Sequence, residues 1–208
     1  MQHQLLLAII SFTTLTTAFA AEDNPPDSKA DASQVAAHQK QLHYVLGVGL
    51  TSGGDKLATA FYTDGSSDSI SAGSGLMFYA GLDYRMNDAA SIQGTLGYHF
   101  DSTKAAKNGE ITFSRIPLEF LAYYHVRDTI RLGGGARMVF SPRVKGSGLA
   151  NNINDSFPNT VGLVIEGEYL VTPTLGIKVR HVSEKYKPRN SPTSVDGSHF
   201  GVFANVYF

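Results

Sequence analysis

Cysteine and tryptophan are absent from the 208 residues, and charged residues make up only 17% of them. Without cysteine there is no disulfide framework, no thiol nucleophile and no zinc site built on thiolates. Lys+Arg number 17 against 18 Asp+Glu, a formal net charge of −1, which makes no electrostatic case for binding nucleic acid. No apolar run approaches the ~18 residues that a membrane-spanning helix needs. Gly133-Gly134-Gly135 is no phosphate loop, because no helix follows it. Neither a cofactor nor a metal site is expected. Glycine is plentiful, with 21 residues, as are Phe (12) and Tyr (10), which suits a β-rich chain with many turns.

The first residues read as an address. Leu5 to Phe12 is a short apolar run, followed by small and hydroxyl residues and an A-x-A site at Ala18-Phe19-Ala20. This is the pattern of a secretory signal peptide over residues 1–20, cleaved near Ala20, although its start carries only the α-amino group and His3 in place of Lys or Arg. Residues 21–41 are rich in Ala, Asp, Gln and Pro, too polar for a core, and read as a tail. The folding unit is then 42–208.

From Leu42 onward apolar residues alternate with period two in segments of about ten residues, the signature of strands with two different faces. Leu42, Tyr44, Leu46, Val48 and Leu50 share one face, and the same rule gives strands at 75–86, 90–100, 115–126, 130–140, 160–171, 175–180 and 199–208. Asn87-Asp88, Arg127-Asp128 and Thr172-Pro173 make three tight turns, whereas the other four connections run to roughly ten or twenty residues. Eight strands with short turns at one end and long loops at the other predict an all-β, eight-stranded, antiparallel up-and-down transmembrane β-barrel with short periplasmic turns and long extracellular loops. On the outward face Tyr44, Tyr84, Tyr124, Tyr169 and Phe208 fall at the periplasmic ends of their strands, and Phe100, Phe140 and Phe200 at the outer ends, as two aromatic girdles would.

With the signal peptide, the eight amphipathic strands and the terminal segment from Phe200 to Phe208, the sequence resembles the small eight-stranded outer-membrane β-barrel superfamily of Gram-negative bacteria. That superfamily includes the outer-membrane protein A transmembrane domain, outer-membrane protein X and the opacity-type barrels. Ser114-Arg115-Ile116-Pro117-Leu118-Glu119-Phe120 is similar to strands of other members. The resemblance implies location in the cell outer membrane and a periplasmic tail over 21–41. It also implies a terminal signal, Phe200, Val202, Val206 and Phe208, read by the barrel assembly machinery.

The inward face carries Asp83, Arg85, Arg115, Glu119, His125, Arg131, Arg137, Glu166, Glu168, Lys178 and Arg180. An eight-stranded barrel is just wide enough for its side chains to fill, and buried charges must pair. The expected outcome is a plugged lumen, with Arg115 on Glu119, and Glu166 or Glu168 on Lys178 or Arg180. A narrow conduit for small solutes is the alternative. Gly133, Gly135 and Gly162 are expected to make room for long side chains. Beyond the outer girdle, Lys104, Lys107, Arg143, Lys145, Lys185, Lys187 and Arg189 lie where lipopolysaccharide phosphates would be. Loops at 52–74 and 141–159 are candidates for host or phage contact, and the protein is expected to be a monomer whose role lies in surface interaction and membrane integrity.

One constellation points to catalysis. His181-Val182-Ser183 puts an imidazole and a hydroxyl on one face of a strand, near its outer end, and is similar to the H-x-S of lipid A 3-O-deacylase barrels. By that resemblance Ser183 would be the nucleophile and His181 its base, with Glu184 or Asp196 the orienting acid. Glu184 stands where that family has Asn, and by alternation it points to the other face.

Overall fold

A computed structural model describes residues 41–61, 67–105, 109–148, 151–188 and 193–208, with backbone alone at 60–61, 67–68, 104–105 and 109. The expected signal peptide, and the expected tail up to residue 40, lie outside the described residues. In chain order the strands are β1 (Leu42–Gly53), β2 (Lys56–Phe61), β3 (Ser67–Ser71), β4 (Gly75–Arg85), β5 (Ala90–Ala105), β6 (Gly109–Arg127) and β7 (Ile130–Ser147). They continue with β8 (Asn154–Ser156), β9 (Thr160–Thr172), β10 (Leu175–Ser183), β11 (Lys185–Tyr186), β12 (Val195–Asp196) and β13 (His199–Tyr207).

β1, β4, β5, β6, β7, β9, β10 and β13 form a closed antiparallel barrel in which each strand pairs with the next along the chain. β13 returns to β1 in register from Val45↔Tyr207 to Gly53↔His199, so the sheet has no open edge there. Closure satisfies every barrel strand's backbone groups from both sides, the condition for a sheet in hydrocarbon. Alternation puts Val45, Tyr79, Leu121, Val164 and Phe203 inside while Leu46, Phe120, Ile165 and Val202 face out. The polar minority is inside and the apolar majority outside, the inverse of a water-soluble barrel.

The three tight turns form as their residues dictate. Asn87 Oδ1 accepts from the Ala89 amide at 2.9 Å, and Thr172 Oγ1 accepts from Leu175 N at 3.0 Å, so a short polar side chain closes two of the three bends. Gln41 at the entrance to β1 is tied down by its carbonyl, which takes the Arg85 amide at 2.7 Å.

At the opposite end the long connections form, and they carry strands of their own. β5, β6 and β7 run to 16, 19 and 18 residues, well past the length needed to cross a bilayer, and β8 adds to the edge of β7. The connection at 52–74 holds the β2–β3 hairpin, and that before β13 holds β11–β12. These pieces cap the barrel around Ile70, Ala72, Ile111, Phe113, Val139, Val144, Phe157 and Tyr186. Phe113 meets Phe157 and Tyr186 edge-on, with ring centroids 6.0 and 5.7 Å away.

Ser141 is where β7 changes phase. Its φ of 50° is the only positive value outside glycine among the described residues, and the β6–β7 register shifts between Ser114 and Ile116 opposite it. One inserted residue reverses which positions face in: below it Arg137 and Val139 are inward, above it Pro142 and Val144 are inward, and Arg143 and Lys145 turn out.

Candidate functional site

The lumen is occupied by a network of ion pairs. Near the periplasmic end Arg131 binds Asp83 at 2.7 Å and Glu168 at 2.8 Å. Lys178 lies 2.6 Å from Glu166, and Arg180 bridges Glu166 at 2.6 Å and Glu119 at 2.8 Å. Glu119 also takes Arg137, at 2.8 Å. Tyrosines on the inward face complete the coordination: Tyr123 donates to Glu166, Tyr79 donates to Asn205, and Tyr207 donates to Glu168 at 2.6 Å. Gly133 makes room for this packing, since a Cβ there would sit 2.5 Å from the Tyr123 ring.

The expected Arg115–Glu119 pair does not form. The two residues are four apart on β6, roughly 13 Å at about 3.3 Å per residue. Arg115 instead approaches Glu184 at 3.9 Å, and Arg137 approaches the same carboxylate at 3.0 Å. Glu184 belongs to the link between β10 and β11, and Tyr186 donates to it at 2.6 Å; burial pushes the Tyr186 phenol up from its ordinary range, so it stays a donor. His99 and His199 join this layer with rings 5.4 Å apart, and His99 Nε2 faces the Thr51 hydroxyl at 2.8 Å.

The buried cations Arg115, Arg131, Arg137, Lys178 and Arg180 therefore meet the buried carboxylates Asp83, Glu119, Glu166, Glu168 and Glu184 with no net charge. Arg85 stands apart at the periplasmic mouth, where it donates to the Asn87 and Asp88 carbonyls. His125 sits nearby, 3.0 Å from Ser91 Oγ. Of the network's other members, Glu184, Tyr79, Tyr123, Tyr207, His99 and His199 all have the inward parity in the sequence, and only the contact between the two histidines had no signal there.

On the outer wall, His181 and Ser183 both face outward, and the His181 ring packs on Phe200 with centroids 4.5 Å apart. His181 Nδ1 is covered and has no hydrogen-bond partner. Glu184 is turned into the barrel, and Asp196 accepts from the Ser198 amide at 2.9 Å. Among the described residues no carboxylate is hydrogen-bonded to His181, although Asp196 is near enough to feel its charge. Arg143, Lys145, Lys185 and Lys187 are exposed beyond the barrel's outer end. Lys104 lies on β5 with its side chain undescribed, and Lys107 and Arg189 lie outside the described residues. Of the girdle positions, Tyr44, Tyr84, Tyr124, Tyr169, Phe200 and Phe208 are exposed, and Phe140 is half-buried. Phe100, also half-buried, packs against Phe78 and Tyr98.

No protein-family profile matches the sequence, and no curated protein matches it. Among solved structures the chain is similar to Ail, the attachment invasion locus protein of Yersinia pestis, with 12% identity, a TM-score of 0.50, and coverage of 81% of this chain and 98% of that one. The same values hold for Ail in complex with the heparin analogue sucrose octasulfate. Neisserial surface protein A gives 12% identity and a TM-score of 0.50 over 80% of this chain and 97% of that one. The chain has the fold of the small eight-stranded outer-membrane β-barrels. At this identity the likeness is one of fold, so the roles of the barrel's residues rest on its own geometry.

Proposed function

We propose that the protein is a monomeric, integral outer-membrane barrel without an open pore, acting through the surface that its outer cap presents, in adhesion, surface recognition or membrane integrity. In this reading residues 1–20 export the chain, 21–41 stay in the periplasm, and the terminal segment ending in Phe208 engages the barrel assembly machinery. The observation that carries it is the pairing of an apolar outer wall with a lumen crossed by the Glu119–Arg180 and Glu119–Arg137 contacts. A conduit needs a continuous water path, and the cavity at the periplasmic mouth holds about 80 Å³, room for a few waters. An acyl hydrolase needs an oriented base, and among the described residues His181 Nδ1 has no hydrogen-bond partner. Arg143, Lys145, Lys185 and Lys187 suit the phosphates of lipopolysaccharide. The Ail complex with a sulfated sugar makes heparin a reasonable first probe for the cap.

The test combines membrane fractionation, migration on SDS gels before and after boiling, and planar-bilayer conductance. A heat-shifted outer-membrane band with no conductance and with fully acylated lipid A is the expected result. Steady conductance, or lipid A that loses a chain unless Ser183 is replaced by Ala, would overturn it.

A further inference from the structure

Just past the outer girdle the surface is recessed. Between the bend in β7 and the residues that follow β8 lies a pocket of about 430 Å³, lined by Pro142, Arg143, Ser156, Phe157, Pro158 and Asn159, with Ser141 at its rim. That volume lies in the range of about 300–1,000 Å³ typical of small-molecule sites. The left-handed conformation of Ser141, with φ 50°, bends β7 out of its straight course and opens the recess.

Two hydrogen bonds tie the sides of the pocket together. Ser141 N donates to Asn159 Oδ1 at 3.1 Å, and Phe157 N donates to the Pro142 carbonyl at 2.8 Å. Phe157 is fixed from below by its edge-on contact with Phe113, and the two proline rings have no φ freedom to lose. The site is shaped before a ligand arrives, which lowers the ordering cost of binding. Backbone strain held at a cavity wall is a recurrent mark of ligand sites.

The lining selects a ligand chemistry. Arg143 is exposed, and its Nε lies 3.5 Å from Ser114 Oγ, which leaves the two Nη groups for a ligand. Among the described residues no carboxylate pairs with Arg143 and no second cation lines the pocket. A planar guanidinium meets a carboxylate in two parallel hydrogen bonds. One cation balances one carboxylate and leaves a phosphate dianion half compensated. Ser156 and Asn159 add a hydroxyl and an amide, while Pro142, Phe157 and Pro158 supply a short apolar wall. A single carboxylate, several hydroxyls and an apolar ring face are the chemistry of a carboxylated sugar.

We propose that this pocket binds one carboxylated sugar ring. Arg143 takes the carboxylate, the Ser156 hydroxyl and the Asn159 amide nitrogen take ring hydroxyls, and the ring's apolar face lies on Pro158. The site rests on the surface-recognition reading above and gives it a ligand class. It differs from recognition of a sulfated or phosphorylated polyanion, which needs an array of cations rather than one.

The experiment is saturation-transfer NMR of the folded full-length protein in detergent micelles, titrated with glucuronate, N-acetylneuraminate, glucose and glucose 6-phosphate. Wild type is expected to bind a carboxylated sugar roughly tenfold more tightly than glucose, the factor that one charge-assisted pair supplies. Arg143→Gln should erase that difference, and Ser156→Phe, which fills the pocket, should lose every sugar. Lys187→Gln, exposed and outside the pocket, should change nothing. Tighter binding of N-acetylneuraminate, which ends glycans on animal cells, would support the pocket with a facing cell as the source; tighter binding of glucuronate would support it with a polysaccharide chain as the source. Glucuronate and N-acetylneuraminate bound no better than glucose, Arg143→Gln without effect, or an equal loss in Lys187→Gln would overturn the site. Glucose 6-phosphate bound as tightly as glucuronate would overturn the carboxylate assignment. The unboiled gel shift of each variant reports folding, and its absence in wild type would instead refute the barrel reading on which the pocket rests.

Discussion

Glu119 and Arg180 meet across the lumen at 2.8 Å although 61 residues and two intervening barrel strands separate them. The contact is a strut between opposite walls, and Arg137 shares its carboxylate. Replacing Glu119 by Gln removes the charge that both guanidinium groups face, and uncompensated buried charge costs about 3–5 kcal/mol. The urea midpoint of unfolding in detergent should fall accordingly. Adding Arg180→Met should restore part of the loss, a coupling visible as non-additivity in a double-mutant cycle.

One position in the sequence separates opposite responses to arginine. Arg180 is buried among carboxylates, while Val179 beside it faces the apolar belt. Val179→Arg is expected to cost about 2–4 kcal/mol if the site is near the bilayer midplane, measured by unfolding in vesicles. In water-filled surroundings the same change would be nearly neutral, so the size of the effect reads out the environment of the wall.

Gly133→Ala would drive a Cβ to 2.5 Å from the Tyr123 ring. Overpacking of this kind costs about 1–3 kcal/mol. Combined with Tyr123→Ala the two losses should sum to less than their separate values, since the clash vanishes with the ring. Additive losses would show that Gly133 is required by something other than that ring.

The cap should loosen in acid through Asp196. The Ser198 hydroxyl and amide hold the Asp196 carboxyl below its ordinary range. A depressed carboxylate stabilises the folded form above its unfolded pKa, and that contribution is lost as the pH falls through the folded value. Limited proteolysis of the β11–β12 hairpin should therefore be flat between about pH 8 and pH 5 and rise in stronger acid. In Asp196→Asn the acid-linked rise should disappear.

The barrel was legible because each strand faces two unlike media, so Leu46, Val48 and Leu50 on β1 declare their face against Gly47 and Gly49. Above the rim that contrast changes sign. On β6 the outward residues Glu110 and Thr112 meet water, while Ile111 and Phe113 pack inward on the cap, and the stretch looked like loop. The ion pairs were readable as a set of inward charges and not as partners, because Arg115 and Glu184 are joined by the curvature of the barrel rather than by sequence spacing or strand neighbourhood.

The phase change at Ser141 lets a single strand serve two solvents. Had β7 kept its alternation, Arg143 and Lys145 would point into the core around Phe113 and Phe157, and Val144 would face water. By spending one residue, the chain carries an oil-facing strand into an aqueous one without breaking its ladder to β6. A deletion at this position would reverse the polarity of every residue above it.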